Sequence, residues 1–144
     1  MTHIDPGTLN SRQIENYNFA KLSAILADYG FNTMRLSADW NGADLIAQHI
    51  DGSSLQVQLK GRFGFWQKYR GKSLYMAFPA SNGEWYLYPH DELLRIVLPR
   101  IESTPSWKGG TSGEAGYSWP GIPAWAQELL EPYRVKAALN GSLR

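Results

Sequence analysis

Asp44, Gln58 and Lys60 are the side chains of this chain whose types and spacing could do chemistry together. A carboxylate can hold a hard cation, an amide offers a neutral oxygen, and an ammonium can stabilise developing negative charge. Gln58 and Lys60 stand two apart, so on a strand they share one face. Polar groups on a strand whose other face is apolar can equally be turned to solvent, and any one of the three alone reads that way. The combination is stronger because Asp44 falls on the preceding strand, across a hairpin.

The elements that must position them can be read locally. Residues 43–50 (ADLIAQHI) read as a strand, and Asp51-Gly52-Ser53-Ser54 as a hairpin turn. Residues 55–61 (LQVQLKG) alternate cleanly: Leu55, Val57 and Leu59 point one way, Gln56, Gln58 and Lys60 the other. Pairing can then be counted. A connection of two or four residues sets Asp44 opposite Gly61, on the face of Leu59. A three-residue connection or a β-bulge sets it opposite Lys60 or Arg62, on their face. The constellation therefore requires an odd connection or a bulge.

Around this hairpin, residues 11–29 read as a helix with a stripe of Ile14, Tyr17, Leu22, Ile25, Leu26 and Tyr29. Ser11 is the expected N-cap and Gly30 the stop. Further strands are expected at 31–38, 73–78 and 84–88, with a turn at Trp40-Asn41-Gly42. A short helix opens near Pro89 and Asp91, and a last helical region opens near Ala124 with a break at Pro132. Residues 102–122 are rich in Gly, Ser, Pro and Trp and show little periodicity. This order implies an α/β or α+β fold, of which we take α/β, with a central mixed sheet of four to five strands flanked by helices.

Asp44 in GADLIA, followed across a hairpin turn by Gln58-Leu59-Lys60, resembles the PD-(D/E)xK, or restriction-endonuclease-like, nuclease superfamily. There an acid begins one strand and an acid-x-lysine follows on the next. Two departures stand out: Ala43 replaces the proline, and Gln58 replaces the second acid. Gln-x-Lys is a known variant, as in Mrr-type enzymes. The resemblance spans roughly residues 11–98 and leaves 99–144 unexplained. It implies one nuclease-like domain that hydrolyses phosphodiesters, of DNA above all, with Mg²⁺ or Mn²⁺. Asp44 would anchor the metal, aided by the Gln58 amide oxygen and the Leu59 carbonyl. Lys60 would stabilise the developing charge or orient the attacking water. Glu15, on the preceding helix, is placed to supply a further acid. Cutting both strands of a duplex needs two sites, so a homo-oligomer fits this expectation. Because Gln58 carries no charge, the competing expectation is a non-catalytic nucleic-acid-binding or protein-interaction module that keeps the fold.

No acidic residue lies between Asp51 and Glu84, a gap that holds Lys60, Arg62, Lys68, Arg70 and Lys72. Phe63, Phe65, Trp66 and Tyr69 are interleaved with them. Residues 62–72 thus read as an exposed excursion in which cations hold phosphates and Trp66 stacks on a base. The alternative is that the aromatics fill a core. Asp39 is a second candidate acid, with a turn role beside Asn41-Gly42 favoured. His90-Asp91 reads as a helix start rather than a catalytic pair, and His49 as structural.

Net charge is +1 and there is no cysteine, which excludes disulfides, thiolate zinc sites and cysteine nucleophiles. No apolar run is long enough to span a membrane, and the N-terminus lacks the pattern of a secretory signal. The expected setting is cytoplasmic. Residues 99–144, with their tryptophans, either complete the core or form a surface between copies.

Overall fold

The computed structural model describes residues 1–109 and 114–139; the Asp39 side chain lies outside that description. The first helix, α1, spans Ser11–Ala27. Its N-cap is Asn10, not Ser11. Asn10 Oδ1 accepts from the Gln13 amide while Gln13 Oε1 accepts from the Asn10 amide, both at 2.9 Å. This reciprocal box satisfies two otherwise orphan donors.

A three-strand antiparallel meander follows: β1 (Phe31–Trp40), β2 (Ala43–His49) and β3 (Ser54–Leu59). Then come β4 (Gly64–Trp66), β5 (Leu74–Pro79) and β6 (Trp85–Pro89). The helix α2 (His90–Ile101), β7 (Gly116–Ser118), α3 (Ala124–Leu130) and β8 (Arg134–Val135) complete the order. The main sheet runs β1-β2-β3-β5-β6-β8. It is mixed because β3 and β5 are parallel. It has the five strands expected plus a two-residue sixth at the edge. The helix, meander and following strands are the order expected from the nuclease resemblance.

Two buried clusters cover the sheet, one per face. Leu22, Ile25 and Leu26 of α1 pack on Leu45, Ala47, Val57 and Ala77. Met76, Phe78, Tyr86 and Tyr88 alternate with those positions along β5 and β6 and so face the other way. They pack with Leu93, Leu94 and Val97 of α2, Ala126 and Leu130 of α3, and Trp107.

The excursion after β3 departs from its sequence reading. Phe63 and Phe65 are fully buried and Tyr69 nearly so. Phe63 stacks on Trp119 with ring centroids 4.9 Å apart and meets Phe65 edge-on at 5.3 Å. The aromatics fill a core, and the exposed side chains are Arg62, Lys68, Arg70 and Lys72. The physical reason is a ribbon of β4 with β7, registered Phe65 to Tyr117, which folds the excursion inward. Gly116 permits the close approach. A Cβ there would stand 2.6 Å from the Phe65 carbonyl.

His90-Asp91 opens α2 as expected, with Asp91 in its first turn, but neither side chain caps the helix. The α2 cap residue, Pro89, has no side-chain cap bond. Buried His90 instead accepts the Trp66 amide proton at Nε2 (3.1 Å) and pairs through Nδ1 with Asp91 (2.9 Å). Asp91 also accepts from the Gly71 amide at 2.8 Å. The pair pins both ends of the stretch from Trp66 to Gly71, and both imidazole nitrogens are engaged. Burial pushes the His90 pKa down, with Asp91 pulling against it. Among the described residues, no helix is long and apolar enough to cross a membrane.

Candidate active site

The hairpin between β2 and β3 meets the odd condition. The His49 amide donates to the Ser53 carbonyl at 2.8 Å, leaving Ile50, Asp51 and Gly52 as the connection. Gly52 takes the left-handed conformation that such a loop needs (φ 92°). Asp51 fastens the turn by accepting from the Ser53 amide and hydroxyl at 2.8 and 2.6 Å.

Pairing runs from Gln48↔Ser54 to Leu45↔Val57 and stops. One step further in the same register, Asp44 stands level with Gln58, not with Lys60 or Arg62. The shared face is as expected; the partner is one pair closer. The ladder's alternation would send the next Leu59 amide to the Ala43 carbonyl. It goes instead to Asp44 Oδ2, at 2.9 Å. The two strands part here, with the carboxylate between them. Lys60 lies just past the end of β3, its amide held by the Ala77 carbonyl at 2.8 Å.

A cleft of about 1250 Å³ opens at this point, bounded by α1 and the ends of the meander. Glu15, Asp44, Gln58, Leu59 and Lys60 all line it. So do Arg12, Arg35 and Asn16, which sequence reading missed. Their common location depends on how α1 lies over the sheet, which local spacing does not encode.

Burial pushes the Asp44 carboxyl above its ordinary range. The Leu59 amide opposes the rise, Glu15 adds to it, and Lys60 and Arg35 oppose it. Burial pushes the Lys60 ammonium down; Glu114 holds it up, Lys68 pushes it further down, and Asp44 holds it up. The Lys60 Nζ sits 4.3 Å from the centre of the Trp66 ring and 5.3 Å from that of Tyr69. Trp66 is therefore half-buried behind Lys60 rather than presented as an open platform. Glu114 bridges two cations, 3.9 Å from Lys60 and 2.8 Å from Lys68. Arg62 donates to the Ser118 hydroxyl at 2.9 Å, and Arg70 to Gln67 Oε1 at 3.3 Å. Lys72 is exposed.

The candidate ligands in the cleft are oxygens: the Asp44 and Glu15 carboxylates, the Gln58 amide and the Leu59 carbonyl. That chemistry fits a hard divalent cation. Gln58 Nε2 donates to the Leu59 carbonyl at 3.1 Å, so two of these groups are engaged with each other. Among the described residues, no three His, Cys, Asp or Glu side chains cluster as a metal site.

No protein-family model matches the chain, and no curated protein does. A solved structure of a bacterial homing endonuclease, I-Ssp6803I, is similar at 14% identity and a TM-score of 0.42. The alignment covers 87% of this chain and 95% of that one.

Proposed function

We propose that this chain is a metal-dependent nuclease that hydrolyses phosphodiester bonds, with DNA as its substrate. The observation that carries the reading is the parting of β2 and β3 around Asp44, whose carboxylate accepts from Leu59 in a cleft shared with Gln58, Lys60 and Glu15. Asp44 and Glu15 would hold Mg²⁺ or Mn²⁺, with the Gln58 amide oxygen and the Leu59 carbonyl as neutral ligands. A bound cation of this kind supplies Lewis-acid polarisation of the phosphate and a more acidic water.

The chain's own groups do the rest. The Leu59 amide fixes one carboxylate oxygen of Asp44 and leaves the other for a ligand. Lys60, in the same cleft, would offset the negative charge that grows on the phosphate oxygens. Trp66 and Tyr69 restrain its ammonium without neutralising it, as ring faces do. Arg62, Lys68, Arg70 and Lys72 follow directly and would bear on the phosphate backbone. Cutting both strands would require a second copy.

A second reading, a non-catalytic nucleic-acid-binding or protein-interaction module, draws support from Gln58. Its amide gives the site no charge and bonds to the Leu59 carbonyl. Incubation of plasmid and labelled oligonucleotides with Mg²⁺, Mn²⁺ or EDTA separates the two. Cleavage that requires the metal supports the enzyme; tight binding without cleavage supports the module.

A further inference from the structure

We propose that Arg35 is a second phosphate-holding cation of this cleft, acting from β1 while Lys60 acts from the end of β3. The inference rests on the nucleic-acid reading above and adds a residue that the motif does not contain.

Arg35 is the last residue of the regular β1–β2 ladder, paired with Leu45; pairing resumes only at Trp40↔Ala43. The interruption frees Leu36, Ser37 and Ala38, which line the cleft beside Arg35. Three residues of α1 fix the guanidinium there. It donates to Asn16 Oδ1, lies 4.0 Å from Glu15 Oε2, and rests over the Phe19 ring at 5.5 Å.

An exposed ion pair at that distance adds little stability, so this arrangement orients more than it stabilises. The side chain remains 42% exposed. A guanidinium has five N–H donors in a fixed fork, more than Asn16 and Glu15 take up, and the fork matches phosphate oxygens. Charge points the same way. Arg12, Arg35 and Lys60 line the cleft against Glu15 and Asp44, while Gln58 contributes nothing. Among the described residues, cations of the metal-free cleft outnumber carboxylates by one, a balance that suits a phosphodiester. The bland role for Arg35 is to tie β1 to α1, which predicts a loss of stability without a change in electrolyte dependence.

The test is the affinity of a fluorescein-labelled duplex oligonucleotide, read by anisotropy in EDTA across a range of salt. Wild type, Arg35→Ala, Arg35→Gln, Arg35→Lys and Lys60→Ala are compared, with melting temperatures measured alongside. Losing one phosphate contact lowers the salt slope by about 0.9. Arg35→Ala and Arg35→Gln are expected to bind about tenfold more weakly, with that smaller slope. Arg35→Lys is expected to keep the slope. If Arg35→Ala and Arg35→Gln melt lower yet keep wild-type affinity and slope while Lys60→Ala loses both, Arg35 is a tie only and the nucleic-acid reading stands. If wild type itself fails to bind the duplex, that reading falls and the role of Arg35 falls with it.

Discussion

The Asp44 carboxylate accepts the Leu59 amide proton at 2.9 Å, in the place where a regular ladder would put the Ala43 carbonyl. One side chain thereby ends the pairing of β2 with β3 and occupies the gap it makes. The amide holds the carboxylate still, and the carboxylate leaves the two strands parted. The cleft under α1 opens at the point where that bond replaces the ladder.

Removing the ammonium should stop chemistry before it stops binding. Lys60→Ala is expected to lower the cleavage rate about 10²- to 10³-fold, the usual cost of losing a charge-stabilising donor. Gel-based nicking of supercoiled plasmid measures it. Undiminished nicking would remove Lys60 from the mechanism.

Restoring the acid should strengthen the metal site. Gln58→Glu is expected to tighten Mg²⁺ or Mn²⁺ binding, because it adds a carboxylate to Asp44 and Glu15. Isothermal titration calorimetry with the metal alone reads the change. Equal or weaker binding would place the cation elsewhere.

The pH profile should be narrow on both sides. Activity needs Asp44 ionised and Lys60 protonated; burial raises the first pKa and lowers the second. At limiting metal, where protons compete with the cation for Asp44, the acid limb is therefore expected above the ordinary carboxylate range, and the alkaline limb below the ordinary lysine range. Glu114→Gln removes a group that holds Lys60 up, so it should move the alkaline limb further down. An unmoved limb would mean that the Glu114 contact does not persist in solution. The same shift has a stability sign. A carboxyl whose folded pKa is raised stabilises the fold fully below its unfolded pKa and loses that contribution as pH rises through the folded one. Asp44→Asn, which can still accept from Leu59, should thus raise the melting temperature at neutral pH and leave it nearly unchanged in acid.

The buried excursion should be a principal source of stability. Phe63→Ala is expected to cost roughly 3–5 kcal/mol, since the ring is fully buried among Phe65, Phe78, Tyr88 and Trp119. Urea unfolding followed by tryptophan fluorescence reads it. A cost under about 1 kcal/mol would mean that the excursion is not packed as described.

How much of this was legible in the sequence differs by element. The β2–β3 hairpin was, because period-two alternation and a turn fix which side chains share a face. The requirement of an odd connection followed from counting alone, and Ile50-Asp51-Gly52 satisfies it. The exact partner of Asp44 was not legible, because it depends on which residues the turn bonds. Residues 62–72 misled for a different reason. Phe65 is buried by pairing with Tyr117, and no local pattern reports so distant a partner. Arg35 and Glu114 reach the site by tertiary packing and carry no spacing signal. Asn10 was overlooked beside Ser11, although Gln13 three residues on was the available clue to a capping box.

The measurement that bears most directly on the central claim is metal-dependent cleavage of supercoiled plasmid by wild type and Asp44→Asn. Wild type should nick the plasmid with Mg²⁺ or Mn²⁺ and fail to do so in EDTA. Asp44→Asn should lose at least about 10²-fold in rate while still binding DNA in EDTA. Equal cleavage by the two proteins, or DNA binding by wild type with no cleavage in either metal, would contradict the assignment of Asp44 as the anchor of a nuclease site.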